Sequence, residues 1–185
     1  MRKVIFLSGV SGAGKTTVGK ALIKKSVSVV ELDQLVRVFY PLLNVGNDTT
    51  NPYRFDDWEK FLTINHDNTE LLNTFQNYML SPHIAEDVNL FLIGNHFLLP
   101  CFEQTLINTL TPIGFQPAIK LLLDRDWKIV YLFRKRRGTP RDRQVSMKEV
   151  RLQTRQYREI LWPRGYISVN KKQLHAIVDS YFQIK

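Results

Sequence analysis

Apolar residues fall along this chain in short unbroken runs that alternate with stretches of helical spacing, a pattern that predicts an α/β protein. Val4-Ile5-Phe6-Leu7 is a continuous run of β-formers, the mark of a parallel strand buried on both faces. After a glycine-rich interval, Val18, Ala21, Leu22 and Ile23 predict a helix over 17–25, ending in Lys24-Lys25, where cations suit a helix C-terminus. Residues 28–33 read as a second strand. A short helix over 34–43 stops near Pro41, and residues 44–52 form a loop by their turn chemistry. Asp56-Asp57 opens another helix, and Leu71, Leu72, Phe75, Tyr78 and Met79 mark one over 69–80. A third strand is expected over 88–93, helices over 101–110 and 117–123, and a fourth strand over 128–133. Ser146 and Glu149 form a capping box that starts a helix with Met147, Val150, Thr154, Tyr157 and Leu161 inward, ended by Pro163. A fifth strand over 166–169 and a closing helix over 173–182 complete a three-layer α/β reading.

The interval after the first strand carries the chemistry. Gly9-Val10-Ser11-Gly12-Ala13-Gly14-Lys15-Thr16 fits G-x-x-x-x-G-K-[ST] at every fixed position. Its glycines let the backbone curl so that successive N–H groups of Ser11, Gly12, Ala13 and Gly14 point at a phosphate chain. Lys15 is placed to reach the outer phosphates. The Thr16 hydroxyl is placed to ligate a Mg2+ ion bridging them, and Thr17 follows in the first turn of a helix whose positive end adds to the anion site. Strand, loop and helix stand in the order that this motif requires.

Composition narrows the setting. With 185 residues, 44% of them hydrophobic, the chain suits a single domain over 1–185. One cysteine, Cys101, excludes an internal disulfide and fits a reducing compartment. No apolar run approaches a membrane span and no signal-peptide pattern precedes the first strand, so a cytoplasmic protein with no membrane partner is expected.

Charge is local. Of the net +9, residues 134–164 contribute most, with 11 Lys and Arg against 3 Asp and Glu. Such a block is a phosphate clamp over a nucleotide, a dock for a nucleic-acid backbone, or a solvated basic face. Residues 134–145, rich in Arg and broken by Gly138 and Pro140, read as a mobile lid. Arg151, Arg155 and Arg158 share another helical face, either to hold phosphates or to make surface ion pairs with Glu159 and others. Asp33, at the carboxyl end of the second strand, should face the same cleft as the loop and is a candidate base. Residues 34–86 form a helical cap over that cleft. Within it, Arg54 beside Tyr53 and Trp58 suits a nucleobase or sugar phosphate, unless the aromatics are cap core and Arg54 is surface.

The order of these parts resembles P-loop kinases of the nucleoside and nucleotide kinase-like superfamily. The loop wording through Gly19 is similar to that of gluconate kinases. Asp33 with Phe39-Tyr40-Pro41, then Asn51-Pro52-Tyr53-Arg54-Phe55-Asp56, and Gln156-Tyr157-Arg158 with Trp162-Pro163, resemble segments of uridine and nicotinamide riboside kinases. The resemblance implies a five-stranded parallel sheet with helices on both faces, a helical substrate cap, an arginine-rich lid, and ATP with Mg2+ as cofactors. It implies transfer of the γ-phosphate of ATP to a hydroxyl or phosphate of a small metabolite, a nucleoside or nucleotide before others. Lys15 and the loop (Gly9, Ser11 to Thr17) would hold ATP; Thr16 and Asp33 would hold the metal; Asp33 would orient and deprotonate the acceptor hydroxyl. From the lid, Arg137 and Arg141 would stabilise the transferring charge and Arg143 would bind ATP. Arg54, Tyr53 and Asn95 would contact the acceptor.

One departure matters. Those kinases carry an acid after the third strand, where this chain has Gly94-Asn95-His96. Either Asp33 alone supplies the carboxylate chemistry, or the chain has lost or changed activity. Two further functions therefore stand beside the first: a polynucleotide or modified-base DNA kinase, docking nucleic acid through 134–164, and a non-catalytic nucleotide-binding regulator.

Overall fold

The first apolar run is paired along both edges at the centre of a sheet and is buried on both faces. The computed structural model describes residues 2–23, 27–32 and 89–183, with the Cys101 side chain excepted. Its strands are β1 (Val4–Ser8), β2 (Ser28–Glu31), β3 (Leu90–Ile93), β4 (Ile119–Leu123) and β5 (Ile167–Val169). They form one sheet in the order β2-β3-β1-β4-β5, with every pairing parallel. Val4 stands opposite Leu90 and Ile5 opposite Ile119. Val4, Ile5, Phe6 and Leu7 are all buried, and since successive side chains point to opposite faces, the sheet is covered on both sides.

The described helices are α1 (Lys15–Ile23), α2 (Pro100–Leu110), α3 (Trp127–Arg137), α4 (Pro140–Gln144), α5 (Met147–Leu161) and α6 (Lys171–Phe182). Helix α1 lies against β2 and β3, and α6 against β4 and β5. Short 3-10 turns follow β3 (His96–Leu98) and α5 (Trp162–Arg164). The Ser146–Glu149 capping box forms, and Val150, Thr154, Tyr157 and Leu161 are the buried stripe of α5 as expected, whereas Met147 is exposed.

Two expectations for the middle of the chain are corrected. Residues 119–123 are a strand rather than part of a helix, and residues 128–133 belong to a helix rather than the fourth strand. The run Ile119 to Leu123 fills the gap between β1 and β5, where the hydrogen-bonding needs of β1 select a strand. Residues 128–133 are started as a helix by Asp126, whose carboxylate accepts from the Lys128 N–H at 2.7 Å, and α3 is closed by Gly138 at φ 66°. Their burial has a helical period, with Val130 and Arg134 inward and Ile129, Leu132 and Phe133 outward.

The basic block is corrected with them. Arg134 to Arg137 form the last turn of α3 rather than following the end of a strand, and Arg134 is only 3% exposed. The remainder of 134–145 turns at Gly138 and enters α4, with Thr139 as its N-cap.

A polar cluster around Glu103 joins distant segments. Glu103 on α2 meets Lys120 of β4 at 2.5 Å, Arg164, and the Tyr166 hydroxyl, which donates to it at 2.8 Å. Arg164 also donates to the Phe97 carbonyl at 2.7 Å, and Phe97 stacks on Phe6 of β1 with centroids 4.9 Å apart. The turn after β3 is thus fixed to the core and to the start of β5. His96 in that turn is buried against Phe102.

Candidate functional site

The loop between β1 and α1 adopts the curl its glycines allow. Gly12 has φ 90° and Gly14 φ 101°, in the region open to glycine and strained for other residues. A Cβ on Gly14 would meet nothing within 4 Å, so this part of the loop borders open space. Val10 and Ala13 face the core, and the Ala13 N–H donates to the Val10 carbonyl at 3.0 Å. Lys15 begins α1, and its Nζ donates to the Gly9 carbonyl and, at 3.2 Å, to the Val10 carbonyl. The ammonium is thereby drawn back along the loop toward its start.

Arginines of α3 meet this loop. The Arg137 Nη2 donates to Ser11 Oγ at 2.9 Å. The same guanidinium forks onto Asp142, with Nε to Oδ2 at 2.6 Å and Nη2 to Oδ1 at 2.9 Å. Asp142, fully buried, also accepts from Arg134 Nε at 2.9 Å and from Thr139 Oγ1 at 2.6 Å. Hydrogen bonds from Arg137 first, and then from Thr139 and Arg134, hold the Asp142 carboxyl well below the usual carboxylate range against the opposing cost of burial. The same contact raises the Arg137 guanidinium above its ordinary value. Arg134 Nη1 continues to Gln153 Oε1 of α5 at 2.9 Å, so α3, α4 and α5 are held together beside the loop.

Between these parts lies a cavity of about 500 Å³, the size of a small-ligand site. Ser11, Gly12, Gly14, Lys15, Thr16 and Thr17 line it from the loop and α1, with Arg137 from α3. Arg125, Phe133 and Lys171 complete the described wall with Asn95. Arg125 sits over the Phe133 ring at 5.1 Å, presenting a cation on an aromatic face. Asn95 follows β3, and its Oδ1 is buried without a hydrogen-bond partner among the described residues.

The structure therefore gathers Ser11, Gly12, Gly14, Lys15, Thr16, Thr17, Asn95 and Arg137 in one cavity. Arg141 and Arg143 are exposed positions of α4 and are not among the lining residues; Arg143 Nε donates instead to the Gly138 carbonyl at 2.8 Å. Asp33, Tyr53 and Arg54, with the 34–86 cap, lie outside the described residues. The ends of β2 and β3 are paired at Glu31 and Ile93. Of the face on α5, Arg155 pairs with Glu159 at 2.6 Å and Arg158 forks onto Asp124 at 2.8 and 2.9 Å.

Asp142 and Arg134 were missed by sequence reasoning, as were Arg125 and Phe133. A signal for Asp142 was present: Thr139-Pro140-Arg141-Asp142 has a capping residue, a proline at the first helical position and an acid in the first turn.

No protein-family model and no curated protein matches the sequence. Solved structures do match its fold. The tunicamycin resistance protein of Deinococcus radiodurans is 14% identical with a TM-score of 0.59, over 100% of this chain and 98% of that one. Shikimate kinase from Acinetobacter baumannii, in complex with shikimate, is 16% identical with a TM-score of 0.57, over 100% and 96%. Deoxyadenosine kinase from M. mycoides with bound dATP is 15% identical with a TM-score of 0.52, over 96% and 98%. At such identities the likeness is one of architecture: the chain has the α/β fold, with a five-stranded parallel sheet, that these kinases share.

Proposed function

We propose that this protein is an ATP-dependent phosphotransferase acting on a small hydroxylated or phosphorylated metabolite, a nucleoside or nucleotide before others. The observation that carries the reading is the single cavity in which the G-x-x-x-x-G-K-T loop, Lys15, Thr16 and Arg137 converge. Loop amides and two cations suit a polyphosphate, and a kinase needs little more than positioning and charge neutralisation. Thr16 supplies one hydroxyl oxygen at the loop; with phosphate oxygens and water it makes an oxygen donor set of the kind Mg2+ takes. The neighbours support the reading, since shikimate kinase and deoxyadenosine kinase share the architecture and the latter was solved with dATP.

In this reading Lys15 and the loop hold the β- and γ-phosphates, and Arg137 stabilises charge on the transferring group. Asn95, whose side-chain carbonyl oxygen has no hydrogen-bond partner among the described residues, accepts a hydrogen bond from the acceptor. Asp33 orients and deprotonates the acceptor hydroxyl, with Tyr53 and Arg54 as further acceptor contacts.

The test is ATP consumption against a panel of nucleosides, nucleotides, sugar acids, shikimate-like alcohols and hydroxyl-ended oligonucleotides, beside Lys15→Ala and Asp33→Asn. Stimulation by one small acceptor, lost at least about a hundredfold in both variants, is expected. Stimulation only by oligonucleotides would establish a polynucleotide kinase instead. ATP binding with no acceptor, unchanged in Asp33→Asn, would overturn the reading in favour of a nucleotide-binding regulator.

A further inference from the structure

We propose that Asp142 is a positioning residue of the phosphate site, fixing the Arg137 guanidinium on the rim of the phosphate loop; this rests on the ATP-dependent reading above. Asp142 Oδ1 accepts from Arg134 Nε and Arg137 Nη2, and Oδ2 from Arg137 Nε and Thr139 Oγ1, so both oxygens are doubly engaged. One buried carboxylate thus holds two guanidinium cations, and a unit of positive charge is left over.

The two arginines are not equivalent. Arg134 is 3% exposed and spends its remaining reach on Gln153, which is a structural arrangement. Arg137 is 49% exposed, yet its Nε and Nη2 are forked onto Asp142 and the same Nη2 reaches Ser11 Oγ. A half-exposed arginine ordinarily retains its rotamer freedom. Here the fork fixes one edge of the planar group, and the remaining nitrogen, Nη1, takes part in neither the fork nor the Ser11 contact, on a side chain that lines the cavity. The surplus charge is therefore delivered at the phosphate loop by a preorganised donor. A lysine at position 137 would keep the charge but lose the fork.

The experiment is calorimetric titration of Mg2+-ATP into the full chain and its Arg137→Ala, Arg137→Lys, Asp142→Asn and Arg137→Ala/Asp142→Asn variants, with melting curves alongside. Arg137→Lys and Asp142→Asn are each expected to weaken ATP about tenfold, close to Arg137→Ala, and the double variant no further than Arg137→Ala alone. Wild-type affinity in Arg137→Lys would overturn the proposal. So would a further tenfold loss on adding Asp142→Asn to Arg137→Ala, which would mean that Asp142 acts on the loop and not through Arg137. If Asp142→Asn fails to fold, Arg137→Lys against Arg137→Ala decides alone. Failure of the wild type to bind Mg2+-ATP would overturn the functional reading itself; tight binding without the coupling would overturn only the role of Asp142.

Discussion

Arg134 lies directly against Gly12: a Cβ added to Gly12 would fall 2.7 Å from the Arg134 Cγ and 3.3 Å from the Val130 carbonyl oxygen. The buried ion pair and the phosphate loop are thus in contact, so changes in one are felt in the other. Gly12→Ala combines this clash with a backbone at φ 90° and is expected to cost about 2–4 kcal/mol and, on the proposed reading, to abolish nucleotide binding. Gly14→Ala has the strained φ but no clash, so its cost in stability should be only about 1–2 kcal/mol. Denaturant melts of the two variants check the ordering.

The acid limb of stability should carry the signature of Asp142. Its carboxyl is held well below the usual range, chiefly by Arg137, so the folded chain releases this proton more readily than the unfolded chain. Its contribution is therefore present above the unfolded value of about 4 and is lost as pH falls below it toward the folded value. The difference in melting temperature between wild type and Asp142→Asn should be largest at neutral pH and narrow below about pH 4. Melts across that range measure it.

Tyr166 is expected to resist ionisation. Burial, reinforced by the Glu103 carboxylate, pushes its phenol well above the ordinary value of about 10. The protonated form is favoured by the fold, so this contribution holds below about pH 10 and declines above it as the unfolded chain ionises. Tyr166 should ionise only with unfolding in a spectrophotometric titration. Tyr166→Phe should lose about 1 kcal/mol and leave a shallower alkaline decline.

The arginines of α5 should divide. Arg155 and Glu159 are 75% and 54% exposed, and Arg155→Ala should change stability by less than about 0.5 kcal/mol. Arg158 makes a two-pronged contact to Asp124 at the end of β4 and should cost more, about 1 kcal/mol. A double-mutant cycle with Asp124→Ala separates the pair from other losses.

The parts legible in the sequence were those with a local cause. The Gly9–Thr16 spacing, the apolar run before it and the Ser146 capping box each specify structure within a few residues. Residues 117–133 were exchanged, strand for helix, because the apolar runs at 119–123 and 129–133 look alike without knowing which neighbour β1 requires. Charge also misled: Arg134 to Arg137 seemed too polar for the interior, but a single carboxylate five to eight residues on neutralises part of that charge and brings Arg134 inside. That pairing is visible only once α3 and α4 are folded against each other.

Strand order has a consequence for how the protein is made. Among the described residues β1 hydrogen-bonds to β3 and β4, which begin at Leu90 and Ile119, so the segment leading into the loop leaves the ribosome long before either neighbour exists. Non-local parallel pairing is slow, and an apolar strand kept waiting is exposed to aggregation. The loop that follows β1 can therefore take its observed shape only after residues 119–123 have been made, and a fragment ending before Ile119 would leave one edge of β1 without its partner.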